Sequence, residues 1–189
     1  MRKPSILDGR LHSPFFVYFR QEPRLSDEQI LKHFGLLSFS WTKQLQESAH
    51  YVVLTDAGEW TLLADDWLYS LWHMPSTKTA IEALAESRDV FTWSVGDCDQ
   101  SFEYKCYRDR ELIRQYTVES PNYNDQVVQH DIGEAFEFEK ALRELPVEER
   151  MACYCAEFGI ETSVKREQLR LYSSPNQSRL NPNSGIKNL

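Results

Sequence analysis

The chain has 189 residues, a formal net charge of −8, 41% hydrophobic residues and 13% aromatic residues. That is the length of one domain, and a chain of this size removes roughly 70% of its unfolded surface from water without disulfide or metal staples. No apolar run approaches the roughly 18 residues of a membrane span, and the N-terminus MRKPSILDGRLHSPFF has no apolar signal core, so a cytoplasmic protein with no membrane partner is expected.

The charge is unevenly spread. Residues 1–24 carry +3, residues 162–189 carry +4, and residues 25–161 carry −15. An acidic body argues against direct nucleic-acid binding, which rests on phosphate neutralisation by Lys and Arg. It suits a protein partner with a basic face. The plainer alternative is that the charge serves only solubility.

In chain order, residues 1–14 read as an irregular arm, and Phe15–Phe19 is a short β-prone aromatic run. Ser26 can cap a helix, with Gln29 at the capping-box position, Ile30, Leu31 and Phe34 as its apolar stripe, and Gly35 as its stop. Leu37, Trp41 and Leu45 recur at helical spacing, so residues 36–48 are expected to form a second helix. Tyr51–Leu54 and Trp60–Leu63 flank the turn residues Asp56-Ala57-Gly58 and read as a hairpin. Pro75 opens a helix whose buried stripe is Ala80, Ile81, Leu84 and Ala85.

Val90–Val95, Phe102–Arg108 and Leu112–Val118 then form an antiparallel meander. In the second run Phe102, Tyr104 and Cys106 alternate with Glu103, Lys105 and Tyr107, the period of a half-buried strand. Residues 119–133 read as a polar loop. Two helices follow, one carrying Phe138, Leu142 and Leu145, the other starting at Pro146, carrying Met151, Tyr154, Cys155 and Phe158, and ending at Gly159. Leu169–Tyr172 reads as an edge strand. From Ser173 the chain is rich in Ser, Asn and Pro and reads as a disordered tail. The expected fold is therefore α+β: a single domain over residues 15–172, with an antiparallel sheet of about five strands and helices packed on one face.

Candidate chemistry is sparse. The chain has no Gly-rich phosphate loop, no GxGxxG and no GxSxG elbow. Cys98 and Cys106 lie too far apart for a zinc pair. Cys153 and Cys155, at i and i+2 of a helix, point about 200° apart. Cys98 lies between Asp97 and Asp99, which disfavour a thiolate. No metal or other cofactor is expected. Asp97 and Asp99 are close enough to share a cation through their oxygens, or simply shape a turn.

The stretch Asp65-Asp66-Trp67-Leu68-Tyr69-Ser70-Leu71-Trp72-His73 concentrates two acids, three aromatics and a histidine. It has three readings. Its aromatics are buried core, or Trp67, Tyr69 and Trp72 anchor a binding face ringed by Asp65, Asp66, Asp97 and Asp99. In the third, Asp65, Asp66 and His73 form an acid–base cleft.

One further pattern is a Trp-containing hairpin and short helix, then Val90-Phe91-Thr92-Trp93-Ser94-Val95, then Ser101-Phe102-Glu103-Tyr104. A charged two-residue turn and a strand come next, then Gly133-Glu134, and helices ending in Phe158-Gly159-Ile160. Over residues 51–162 this resembles an uncharacterised bacterial α+β family associated with interbacterial conflict loci. The chain departs from it in its N-terminal 50 residues and its basic tail. The resemblance implies a binding or immunity role and carries no functional residues with it. The leading expectation is a non-enzymatic acidic module that binds a basic partner protein as an immunity-type inhibitor. The alternative is a small hydrolytic or metal-assisted enzyme using Asp65, Asp66, His73, Asp97 and Asp99. A third possibility is self-association through an exposed first strand bearing Phe15, Val17 and Phe19.

Overall fold

In a computed structural model of the protein, the described residues are 15–43, 50–65, 71–72, 74–96, 101–120, 125–142, 145–163 and 166–174. In chain order they form β1 (Phe15–Arg20), α1 (Asp27–His33), β2 (Ser40–Thr42), β3 (His50–Ala57), β4 (Trp60–Asp65), α2 (Pro75–Ala85), β5 (Val90–Val95) and β6 (Phe102–Arg108). These are followed by β7 (Glu111–Glu119), β8 (Val127–Ile132), α3 (Glu139–Leu142), α4 (Val147–Glu157) and β9 (Arg170–Ser174). The nine strands make one antiparallel sheet in the order β2-β9-β3-β4-β1-β5-β6-β7-β8.

The fold is α+β and mostly antiparallel, as expected, but the sheet is larger than about five strands. β2 is only three residues long, and β8 lies where a polar loop was expected. β9 is a strand but not an edge, because it pairs with both β2 and β3. Residues 40–42 pair as strand, not helix. Leu37 and Trp41, expected on the buried stripe of a helix, are 72% and 58% exposed. Residues 44–49 lie outside the described residues, as do the expected arm 1–14 and residues 175–189 of the expected tail.

β1 is the centre of the sheet, hydrogen-bonded to β4 on one side and β5 on the other. A central strand is buried on both faces, and alternate side chains enter different cores. Phe15, Val17 and Phe19 join Ile30, Leu31 and Phe34 of the α1 region and Ala80, Ile81 and Leu84 of α2. Phe16 and Tyr18 join Leu142 of α3 and Tyr154 and Cys155 of α4 on the other side. Helices therefore cover both faces, not one. The run Phe15–Phe19, with no charged residue to face water, is the reason, since two-sided burial of such residues stabilises by about 1.5–3 kcal/mol per large side chain. It also removes Phe15, Val17 and Phe19 from any self-associating surface: all three are buried.

Local signals hold where they were strong. The Ser26 side chain accepts from the Gln29 N–H at 3.2 Å, and the Gln29 side chain accepts from the Ser26 N–H at 2.8 Å, a complete capping box on α1. The β6–β7 turn is the expected Asp109-Arg110, with φ of 52° and 72°. Both central residues are left-handed, the twist that matches a hairpin. Arg pays a steric penalty there that Gly does not. Relief of that penalty outweighs the added freedom of Gly in the unfolded chain, so Arg110→Gly is expected to stabilise the fold by about 0.5–1 kcal/mol, raising the melting temperature by about 1–4 °C in a thermal scan; an unchanged or lower midpoint contradicts it. No described helix is long and apolar enough to cross a membrane.

Candidate functional site

The register places several connections at one end of the sheet. Asp65 of β4 lies opposite Phe15 of β1, which lies opposite Ser94 of β5. Val95 pairs with Phe102, Phe102 with Val118, and Val118 with Val128. The chain thus leaves β4, β5 and β7, and enters β6 and β8, at the same end. β4 and β5 are two strands apart, about 10 Å. Fold topology therefore brings the starts of the two candidate stretches, 65–73 and 96–99, near each other.

The candidate residues fare differently. Asp65 is 1% exposed, and its carboxylate accepts the Leu71 N–H at 2.7 Å. It closes the connection out of β4 and is not presented to a partner's surface. Leu71 is fully buried, so part of the stretch is core. Trp72 is 39% exposed. Its ring stands edge-to-face on Phe15, centroids 5.4 Å apart, with the Lys105 amine 5.7 Å from its centroid. One indole thus combines a buried foothold with an accessible face. Asp66, Trp67, Tyr69, His73, Asp97, Cys98 and Asp99 lie outside the described residues.

Beside Trp72, on the α1/α2 face, β6 and β7 carry a polar cluster. Glu103 is 8% exposed. It takes the Thr117 hydroxyl at 2.9 Å, the Gln115 amide at 3.2 Å and the Lys105 amine at 2.9 Å. These donors compensate the carboxylate for its lost water.

A second cluster, on the α3/α4 face, was not anticipated. Arg114 of β7 is 1% exposed. Its Nε and Nη2 grip the Glu139 carboxylate at 3.0 and 2.8 Å, a two-point contact from α3. Its Nη1 donates to Asp131 and to the backbone carbonyls of Ile132 and Gly133, each 3.1 Å away. Desolvation opposes the guanidinium charge, but the hydrogen bonds it donates to Glu139 and Asp131 outweigh it and the pKa is raised. One side chain thereby ties β7, β8, the turn after β8, and α3. The sequence holds a signal for it: Arg114 is in phase with Tyr116 and Val118, which pack in the core. An inward-phase arginine implies an inward acid, and Glu139 supplies it.

Glu139, held by Arg114, helps to line a recess of about 30 Å³ with Phe102, Tyr104, Tyr116, Arg150 and Tyr154. That is room for a few water molecules. Burial pushes the Tyr104 phenol well up, with Glu139 adding to it. Tyr154 is raised by burial and then by Tyr104. Both stay neutral across the ordinary pH range, so neither is a base. The buried thiols of Cys106 and Cys155 are equally quiet. Burial pushes Cys155 up to about 12 against a hydrogen bond from Tyr18, and raises Cys106 further. Among the described residues, no three His, Cys, Asp or Glu side chains are grouped to hold a metal ion.

At the far end of the sheet Glu59 pairs with Arg20, Asp56 with Arg24 and Arg170, and Asp89 with Arg108. The segments that follow β4, β5 and β7 in sequence, 66–74, 96–101 and 119–126, carry Asp66, Asp97, Asp99, Glu119 and Asp125 and no Lys or Arg. No family model, curated protein or solved structure matches the chain.

Proposed function

We propose that this protein is a non-enzymatic binding module that engages a basic partner protein, as an immunity-type inhibitor would, through the acidic end of its sheet. The observation that carries this is the segregation of charge. Carboxylates at one end are matched by arginines, while three segments that leave from the other end contain five acids and no cation of their own. Like charge gathered in these segments favours a partner with a basic face. Trp72, anchored on Phe15 and 39% exposed, supplies an aromatic contact beside those carboxylates. Asp66, Trp67, Tyr69, Asp97 and Asp99 complete the proposed surface, and Asp65 supports it from within. The enzymatic alternative has less behind it, because the Asp65 carboxylate is already taken up by the Leu71 N–H.

The test is affinity capture from native lysate at low and high salt, followed by the variant Asp66→Lys/Asp97→Lys/Asp99→Lys. A single basic protein should be retained at low salt and released at high salt. The triple variant should bind it at least about tenfold more weakly. Equal retention by the variant removes the proposal.

A further inference from the structure

The two edges of the sheet are unlike. β2, at one edge, has three residues. The Lys43 amine lies 5.4 Å from the ring of the exposed Trp41. A short edge with a lysine beside it discourages strand pairing. β8, at the other edge, has six residues, all exposed, and no described strand pairs with its outer side. Val127, Val128 and Ile132 are 45%, 49% and 45% exposed. An edge strand presents every second N–H and C=O outward, so β8 offers a row of backbone donors and acceptors beside three apolar side chains.

This edge is also held in place. Arg114 binds the Asp131 carboxylate and the Ile132 and Gly133 carbonyls from inside the sheet. A strand already fixed in extended form loses little entropy when another pairs with it.

The charge around β8 limits what can pair there. Residues 119–139 hold Glu119, Asp125, Asp131, Glu134, Glu137 and Glu139 and no Lys or Arg. Asp131 and Glu139 are engaged by Arg114, whereas Asp125 and Glu134 bracket the strand just before and just after it. Two copies joined edge to edge would set these carboxylates against each other, so the pattern resists self-pairing. We infer that β8 is a strand-addition site for an extended segment of a partner protein, one with β-branched or other apolar residues at its centre and Lys or Arg towards its ends. This rests on the binding-module proposal and gives the partner's contact a specific form: backbone pairing supplies affinity, and the bracketing acids select the partner.

The experiment uses the full chain and synthetic peptides with a Val/Thr centre. One peptide is flanked by lysines, a second by glutamates, and a third is the lysine peptide N-methylated at alternate residues to remove the donors of one edge. Binding is read by fluorescence anisotropy, and β8 amide protection by hydrogen exchange. The lysine peptide should bind and slow exchange at alternate amides of residues 127–132. The glutamate peptide and the methylated peptide should each bind at least about tenfold more weakly. Val128→Lys, at an exposed position that leaves the core intact, should weaken the lysine peptide by a similar factor.

Equal binding of the methylated peptide overturns strand addition, and equal binding of the glutamate peptide overturns the basic occupant. Absence of binding, or dimerisation of the free chain through β8 in sedimentation, overturns both. A captured partner that is lost on charge reversal at residues 66, 97 and 99 but retained by Val128→Lys leaves the binding module standing and removes the strand-addition site.

Discussion

Replacing Arg114 with Met is expected to destabilise the protein by about 3–5 kcal/mol, the usual cost of leaving one member of a buried ion pair without its partner. The loss falls on Glu139. Its side chain is 9% exposed, and Arg114 holds it at two points. Asp131 is 52% exposed and can return to water. Urea unfolding followed by tryptophan emission measures the change, with Trp93 fully buried as reporter. The companion variant Arg114→Met/Glu139→Gln separates charge from packing. It removes the stranded carboxylate while keeping a polar group beside Tyr104 and Tyr154, and should recover more than half of the loss. A single variant costing under about 1 kcal/mol shows that the pair is not a fixed part of the fold. Because Arg114 also holds the Ile132 and Gly133 carbonyls, β8 amides should lose exchange protection first.

Gly133→Ala carries the second large effect. Gly133 follows β8 with φ of 80°, and a Cβ there would lie 2.0 Å from the Ile113 carbonyl oxygen and 2.9 Å from its carbon. Those are backbone atoms of β7 and cannot rotate away. The chain must shift, and the shift pulls the Gly133 carbonyl from Arg114. A loss above about 3 kcal/mol is expected, at the upper end of single substitutions. Gly159→Ala is the control. Its φ is 67°, but nothing lies within 4 Å of the added methyl. Only the left-handed backbone is penalised there, at about 1–2 kcal/mol. Equal costs for the two variants in the same unfolding assay disprove the close-approach account of Gly133.

The two positions also show what can be read from sequence. Gly159 was legible as a helix stop because it follows an apolar stripe of period 3.6. Gly133 was not legible as a turn next to a strand, because β8 itself was hidden. Val127-Val128-Gln129-His130-Asp131-Ile132 has no alternation, since neither face of β8 is buried. β2 is hidden for a related reason. Trp41 reads as part of a helical stripe with Leu37 and Leu45, and only pairing with Tyr172 of β9, far along the chain, makes it a strand residue.

The candidate site divides in the same way. The stretch around Trp72 was conspicuous by composition, but sequence could not separate the buried Leu71 and Asp65 from the half-exposed Trp72. Glu103 read as the solvent side of a half-buried strand and is instead enclosed by Gln115, Thr117 and Lys105. The Arg114 cluster draws on three elements up to 25 residues apart, a separation that no local pattern encodes.

Local signals were enough for the capping box at Ser26 and Gln29, the β3–β4 hairpin, the β5–β6–β7 meander, and helix ends at Gly35 and Gly159. Each depends on interactions within a few residues or on a periodicity visible in one segment. That β1 is central, that helices cover both faces and that β8 is an exposed edge emerge only from the assembled sheet. Those properties depend on which distant strands pair. Pairing is settled by the joint burial of all faces at once, and no single stretch of chain carries that information.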